Sequence, residues 1–161
     1  CGARALTIEQ LQQVMAEIGP LTDEVLSVVQ IGDREWDIAL EDDVAILASY
    51  DELGEKVTFD VDVGPLPEGD PAPIFEMLLT FNSCWRETGG LRTAIDEPGG
   101  DVSLVLDYFA EQLDVTRVSA VILALLEKRS QWREAIEAVA ASGDSDAAGQ
   151  PLAEPPGSMR V

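Results

Sequence analysis

From Trp36 to Gly64 apolar and polar residues alternate almost without a break, and that period of two decides what this chain can fold into. Trp36, Ile38 and Leu40 alternate with Asp37, Ala39 and Glu41. After the turn Glu41-Asp42-Asp43 the pattern resumes with Val44, Ile46, Ala48 and Tyr50. It returns as Val57, Phe59, Val61 and Val63, set against Thr58, Asp60 and Asp62, up to Gly64-Pro65. Residues two apart share one face of a strand, so each segment has a dry face and a wet one. Three such segments joined by short turns predict an antiparallel meander. Val25 to Ile31 is largely apolar and β-branched and closes on Gly32-Asp33, which predicts an extra strand ahead of the three. Asp60 and Asp62 on this pattern are solvent-facing strand residues rather than metal ligands.

The flanking segments carry the helical period. Thr7-Ile8-Glu9-Gln10 reads as a capping box, with Leu6 and Leu11 as its hydrophobic staple. Ile8, Leu11, Met15 and Ile18 fall on one face, with Val14 beside them, and Gly19-Pro20 is expected to stop the helix. After a turn-rich loop from Pro65 to Pro73, Asp70 can cap a second helix with Pro71 at its first position. Ile74, Met77, Leu78, Phe81 and Trp85 form its stripe, broadened by Phe75, Leu79 and Cys84. A helix this apolar is expected to be central or shared with a second subunit.

Gly89-Gly90 is expected to end that helix. Leu91 to Asp96 reads as a short strand, Pro98-Gly99-Gly100-Asp101 as a turn, and Val102 to Phe109 as a strong strand. Val105 and Phe109 add apolar residues to its second face, so the strand is expected to be covered on both sides. A last helix, with Thr116 as N-cap, keeps its period through Val118, Val121, Ile122, Leu125, Leu126, Trp132, Ile136 and Val139. From Ser142 onward Gly, Ser, Asp, Ala and Pro dominate. The expected organisation is one α+β domain over residues 6–140 and a flexible acidic tail over 141–161.

Composition narrows the chemistry. Thirty-one acids against ten bases give a formal net charge of −21, a surface that repels phosphates and anionic headgroups and suits basic partners. The absence of histidine removes Ser-His-Asp and Cys-His catalysis and histidine-ligated metals. Two cysteines cannot build a zinc site, and Cys84 in an apolar helix is expected to be a buried thiol. They also fit a reducing cytoplasm. No signal peptide or membrane-spanning run is expected. Cys1 leaves two readings, a lipid-modified N-terminus or a fragment boundary, and the folded character from Leu6 onward favours the second.

The glycine pairs lack phosphate-loop spacing and read as turns. Carboxylate pairs such as Glu52 with Glu55 or Asp96 with Glu97 arise by chance among so many acids, so an enzyme working by carboxylates alone is the weak alternative. Trp132 is expected in the core. Trp85 is divided between core and interface, and Trp36 between core and partner contact.

The order helix, strands, helix, two strands, helix over residues 6–140 resembles that of the type III secretion chaperones that serve a single effector, the class I or Tir-chaperone (CesT-like) family. The local match rests on Leu78-Leu79-x-x-Asn82, on Gly89-Gly90-Leu91 with Asp96, on the strand holding Leu104 and Leu106, and on the end helix with Trp132. The resemblance implies an antiparallel sheet with three helices in the order α-β-β-β-α-β-β-α, no enzymatic activity and no cofactor or metal. It implies a homodimer through Ile74, Leu78, Phe81, Trp85 and Leu91. It further implies a bacterial, cytoplasmic, virulence-associated protein whose partner is a secreted effector, with the effector's N-terminal region lying extended on Leu11, Met15, Ile18, Val29, Ile31, Trp36 and Ile38 and kept soluble and export-competent. A regulator of the same fold that sequesters a secretion-control or transcription protein is the alternative.

Overall fold

The computed structural model describes residues 7–147, with side chains to 142; Cys1, Leu6 and residues 148–161, with the expectations that rest on them, lie outside the described residues. The chain runs α1 (Ile8–Leu21), β1 (Val25–Gly32), β2 (Glu35–Leu40), β3 (Ala45–Asp51), β4 (Lys56–Gly64), α2 (Ala72–Ser83), β5 (Arg92–Ile95), β6 (Val102–Phe109), a 3-10 turn (Ala110–Gln112) and α3 (Val115–Ala147). It is an α+β fold. All six strands pair antiparallel in one sheet, in the order β1-β2-β3-β4-β6-β5.

The alternating residues do what their period requires. Ile38 pairs with Ile46, Ile46 with Val61, and Val61 with Leu104, so one apolar row crosses four strands. A second row joins Trp36, Ala48, Phe59 and Leu106. These residues share a single buried cluster with Leu11, Met15 and Ile18 of α1, Ile74 and Leu78 of α2, and Val118, Ile122, Leu125, Trp132 and Ile136 of α3. The three helices therefore cover one face of the sheet. At about 25 cal/mol per Å² of apolar surface, that shared burial is the main source of stability.

The other face carries no helical layer among the described residues. Val105 is buried there between its register partners Asp60 and Arg92, while Phe109 is about half exposed. β6 is buried on both faces from Val102 to Leu106, as expected, and opens at Phe109; among the described residues no second helical layer supplies that cover. The turn between β2 and β3 places Asp42 and Asp43 at φ of 58° and 56°, a left-handed conformation that aspartate tolerates better than bulky residues.

Helix boundaries follow local chemistry closely. The capping box forms as expected: the Gln10 N–H donates to Thr7 Oγ1 at 3.3 Å, and the Thr7 N–H to Gln10 Oε1 at 2.9 Å. α1 continues past Gly19-Pro20 to Leu21, because a proline in the last turn removes one hydrogen bond without ending the helix. Asp70 Oδ1 accepts from the Ala72 N–H at 3.0 Å at the start of α2. α3 begins one residue before Thr116, and its cap is Asp114, whose Oδ1 accepts from the Arg117 N–H at 2.7 Å. Its backbone continues past Ser142 to Ala147.

α2 departs most from expectation. It ends at Ser83 rather than at Gly89-Gly90, and a run of turns fills the interval. Gly89 and Gly90 adopt φ of 66° and 89° there. Cys84 sits beyond the last helical residue as an exposed free thiol, not a buried one.

Candidate partner-binding surfaces

Among the described residues, large apolar side chains gather in water at two places, while Leu21, Leu53, Phe109 and Leu123 are exposed singly. The first is the edge strand β1. Its register against β2 shifts between Val25 and Ser27 and again between Gln30 and Gly32, so Leu26 and Ile31 occupy bulges. Leu26, Val29 and Ile31 are 65 %, 50 % and 57 % exposed. Strict alternation would have turned some of this run inward. The bulges prevent that, and a strand at the sheet edge displays it.

The second place is the outer side of α2 with the neighbouring edge strand β5. An open groove of about 360 Å³ runs between them, lined by Phe75, Leu78, Leu79, Asn82, Thr93, Ala94 and Ile95. Leu79 is 70 % exposed beside it. Trp85, 54 % exposed, stands just past the helix end with the Arg86 guanidinium 4.7 Å from its ring centre. On the inner side Phe81 meets Trp132 of α3 edge-to-face, with ring centres 4.9 Å apart.

Against these surfaces the residues named from the sequence divide. Leu11, Met15, Ile18, Trp36 and Ile38 are core residues of the single chain, because α1 packs its stripe onto the sheet and the inner row of β2 faces the helices. Val29 and Ile31 are exposed together on β1. In the second set Ile74, Leu78 and Leu91 are buried, Phe81 is half-buried, and Trp85 is exposed outside the helix that its spacing suggested. Leu26, Leu79 and Ile95 join the exposed or groove-lining residues without having been singled out as contacts. Two adjacent apolar residues opening β1 were the only trace of a bulge at Leu26.

The charges are arranged as well as numerous. On the open face of the sheet, Arg92 reaches Asp107 through two hydrogen bonds of 2.9 and 3.2 Å, and Thr58 Oγ1 donates to the same carboxylate at 2.8 Å. Partial burial would raise the Asp107 pKa, but the Arg92 and Thr58 hydrogen bonds outweigh it and hold it below the ordinary carboxylate value. Asp60 and Asp62 shift the other way. Burial raises Asp60, with Asp62 adding to the rise against the Ser103 hydrogen bond; burial and then Asp101 raise Asp62. Asp62 also borders a concavity of about 440 Å³ beside Arg129, whose Nε donates to the Asp62 carbonyl oxygen at 2.6 Å. Among the described residues no group of His, Cys, Asp or Glu is placed to hold a metal ion, and no helix is long and apolar enough to cross a membrane. What the arrangement offers chemically is apolar surface on a strongly acidic chain.

The family model of the Tir chaperone protein (CesT) family matches residues 35–133. Three solved structures share the fold. The crystal structure of the ExsC–ExsE complex aligns with a TM-score of 0.66 at 22 % identity, covering 79 % of this chain and 93 % of that one. The HopA1–SchA chaperone–effector complex aligns at 0.61 and 17 %, covering 77 % and 93 %. The heterodimeric ExoU–SpcU complex from the type III secretion system of Pseudomonas aeruginosa aligns at 0.54 and 20 %, covering 76 % and 93 %. No curated protein matches the chain.

Proposed function

This chain belongs to the Tir chaperone protein (CesT) family, and on that premise we propose that it is a type III secretion chaperone. It binds the N-terminal region of a secreted effector in extended form and keeps it soluble and export-competent in the bacterial cytoplasm. The observation that carries the reading is the pair of apolar surfaces left open on a chain of net charge −21. A protein that had only to stay soluble would gain nothing from exposing Leu26, Val29 and Ile31 along one strand. Two of the structures that share its fold are a chaperone–effector complex and a complex from a type III secretion system.

The two surfaces take different roles in this reading. β1 offers Leu26, Val29 and Ile31 to the client, with Leu11, Met15, Ile18, Trp36 and Ile38 shaping that surface from beneath. Between the two bulges, Ser27 to Gln30 keeps a regular edge that an extended segment can meet. The α2–β5 face pairs two copies of the chain, with Leu79, Phe75, Phe81 and Trp85 in the contact and Ile74, Leu78 and Leu91 holding α2 in position. Bound client is withheld from aggregation by mass action, and no chemistry is performed on it.

The test is co-expression with candidate secreted proteins, followed by size-exclusion chromatography with light scattering. The expected result is a dimer of twice 17.3 kDa that captures one client. A monomer that captures none would overturn the reading.

A further inference from the structure

We infer that Asn82 and Thr88 seal the free edge of β5 at Leu91 and Thr93, so that the α2–β5 face associates through side chains and accepts no added strand. β5 is the last strand of the sheet, which should leave a row of unpaired backbone groups on its outer side. Successive residues of an antiparallel strand send their N–H and C=O to opposite sides, so those that face away from β6 recur at every second position. Thr93 is one of them, and both its groups are taken. Its N–H donates to Asn82 Oδ1 at 2.8 Å, and Asn82 Nδ2 donates back to its carbonyl oxygen at 3.0 Å. That two-bond exchange is the one a residue of a neighbouring strand would make. A carboxamide can make it because it carries a donor and an acceptor on one planar group, as a peptide does.

The seal continues toward the start of the strand. Leu91, two residues earlier, donates its N–H to the Thr88 carbonyl at 3.3 Å, and its own carbonyl accepts from Thr88 Oγ1 at 3.0 Å. Asn82 is itself held: its Oδ1 also accepts from Thr93 Oγ1 at 3.2 Å, and that hydroxyl lies 3.2 Å from the carbonyl of Leu78, one turn earlier in α2. The opposite edge differs. On β1 the side-chain bonds to backbone run from Gln30 to the Gly32 and Asp33 carbonyls, at the turn beyond the regular stretch Ser27 to Gln30. The two edges are therefore unequal, and the asymmetry gives the two apolar surfaces separate partners. A second copy meeting the groove of Leu79 and Ile95 packs helix and side chains against it and does not extend the sheet.

The part of this inference that assigns partners rests on the chaperone reading; the seal does not, and it is measured on the protein alone. In hydrogen–deuterium exchange of the wild-type chain, the Leu91 and Thr93 amides are expected to be protected although they lie on an edge. In Asn82→Ala the Thr93 amide should exchange about tenfold faster while the β4 and β6 amides stay protected, the loss expected for one such bond. Light scattering of Asn82→Ala as a function of concentration should show species beyond those of the wild type. Thr88→Val is a second variant, which should free the Leu91 carbonyl and leave Thr93 protected. A Thr93 amide that exchanges at an open-edge rate in the wild type overturns the seal, as does a backbone hydrogen-bond ladder between two β5 strands in the wild-type assembly. If protection is found but no client is ever captured, the seal stands and the chaperone reading falls.

Discussion

Asp60 and Asp107 lie on the same open face of the sheet and titrate in opposite senses. Asp107 is held below the ordinary carboxylate pKa of 3.8, mainly because its bonds to Arg92 and Thr58 outweigh its burial. Its stabilisation is present above the unfolded value and is lost as pH falls through the depressed folded value. Asp60 is raised by burial, with Asp62 adding to the rise, so the folded state holds its proton more tightly than the unfolded chain does. Between 3.8 and the raised folded value, stability therefore falls as pH rises, and above that value the loss is complete. Asp60→Asn keeps an acceptor for Ser103 and removes the charge. It is expected to raise the melting temperature at pH 7, with the advantage over wild type shrinking as pH falls toward 4. A melting series from pH 4 to 8 checks this, and an unchanged difference across the series would refute it. Asp107→Asn should do the reverse, lowering stability at pH 7 by weakening the charge-assisted pair with Arg92, and converging with wild type in acid.

α2 separates two roles by burial on a single helix. Leu79 is in water and Ile74 is in the core. Leu79→Asp is expected to change stability by less than about 0.5 kcal/mol, as surface substitutions do, and to split the proposed dimer, read as a halved mass in light scattering. Ile74→Asp buries an unpaired charge and should prevent folding altogether. Trp132→Ala removes the ring that Phe81 meets and should cost about 3 kcal/mol or more, read as a drop in denaturation midpoint. Elements of this kind were legible in the sequence because their signals are local. The alternation from Trp36 to Val63 gave β2, β3 and β4 together with their buried faces, and Thr7 with Gln10 gave the start of α1. What escaped depends on partners elsewhere in the chain. The bulges at Leu26 and Ile31 exist only relative to β2, and beyond the adjacent apolar pair Val25-Leu26 nothing within β1 announces them. The end of α2 at Ser83 is fixed where Asn82 turns to Thr93, eleven residues on, and the helical spacing of Trp85 could not reveal that. Burial of Leu11, Met15, Ile18, Trp36 and Ile38 follows from α1 docking on the sheet. An apolar stripe reads alike whether it meets its own core or a client.

Taken whole, the molecule is an acidic body with two apolar surfaces at its sheet edges, and the charge does more than keep it in solution. With 31 acids and ten bases, its field extends about a Debye length, roughly 8 Å at physiological ionic strength. On the chaperone reading proposed above, a client segment that alternates apolar and basic residues would be drawn in by that field and held by β1 once there. The two contributions separate by their response to salt. Association rates with a basic client should fall steeply as salt rises, while dissociation rates, governed by the apolar contact, should hardly change. The variant Val29→Asp with Ile31→Asp should behave in the opposite way. It adds negative charge and removes apolar contact, so the client should arrive at least as fast and leave faster, with little change in the melting temperature of the free protein, because both side chains are already in water. Surface plasmon resonance at two salt concentrations, with immobilised client, measures both rates. If the double variant held client as long as the wild type, β1 would not be the client's surface, and the contact would have to be sought on the α2–β5 face instead.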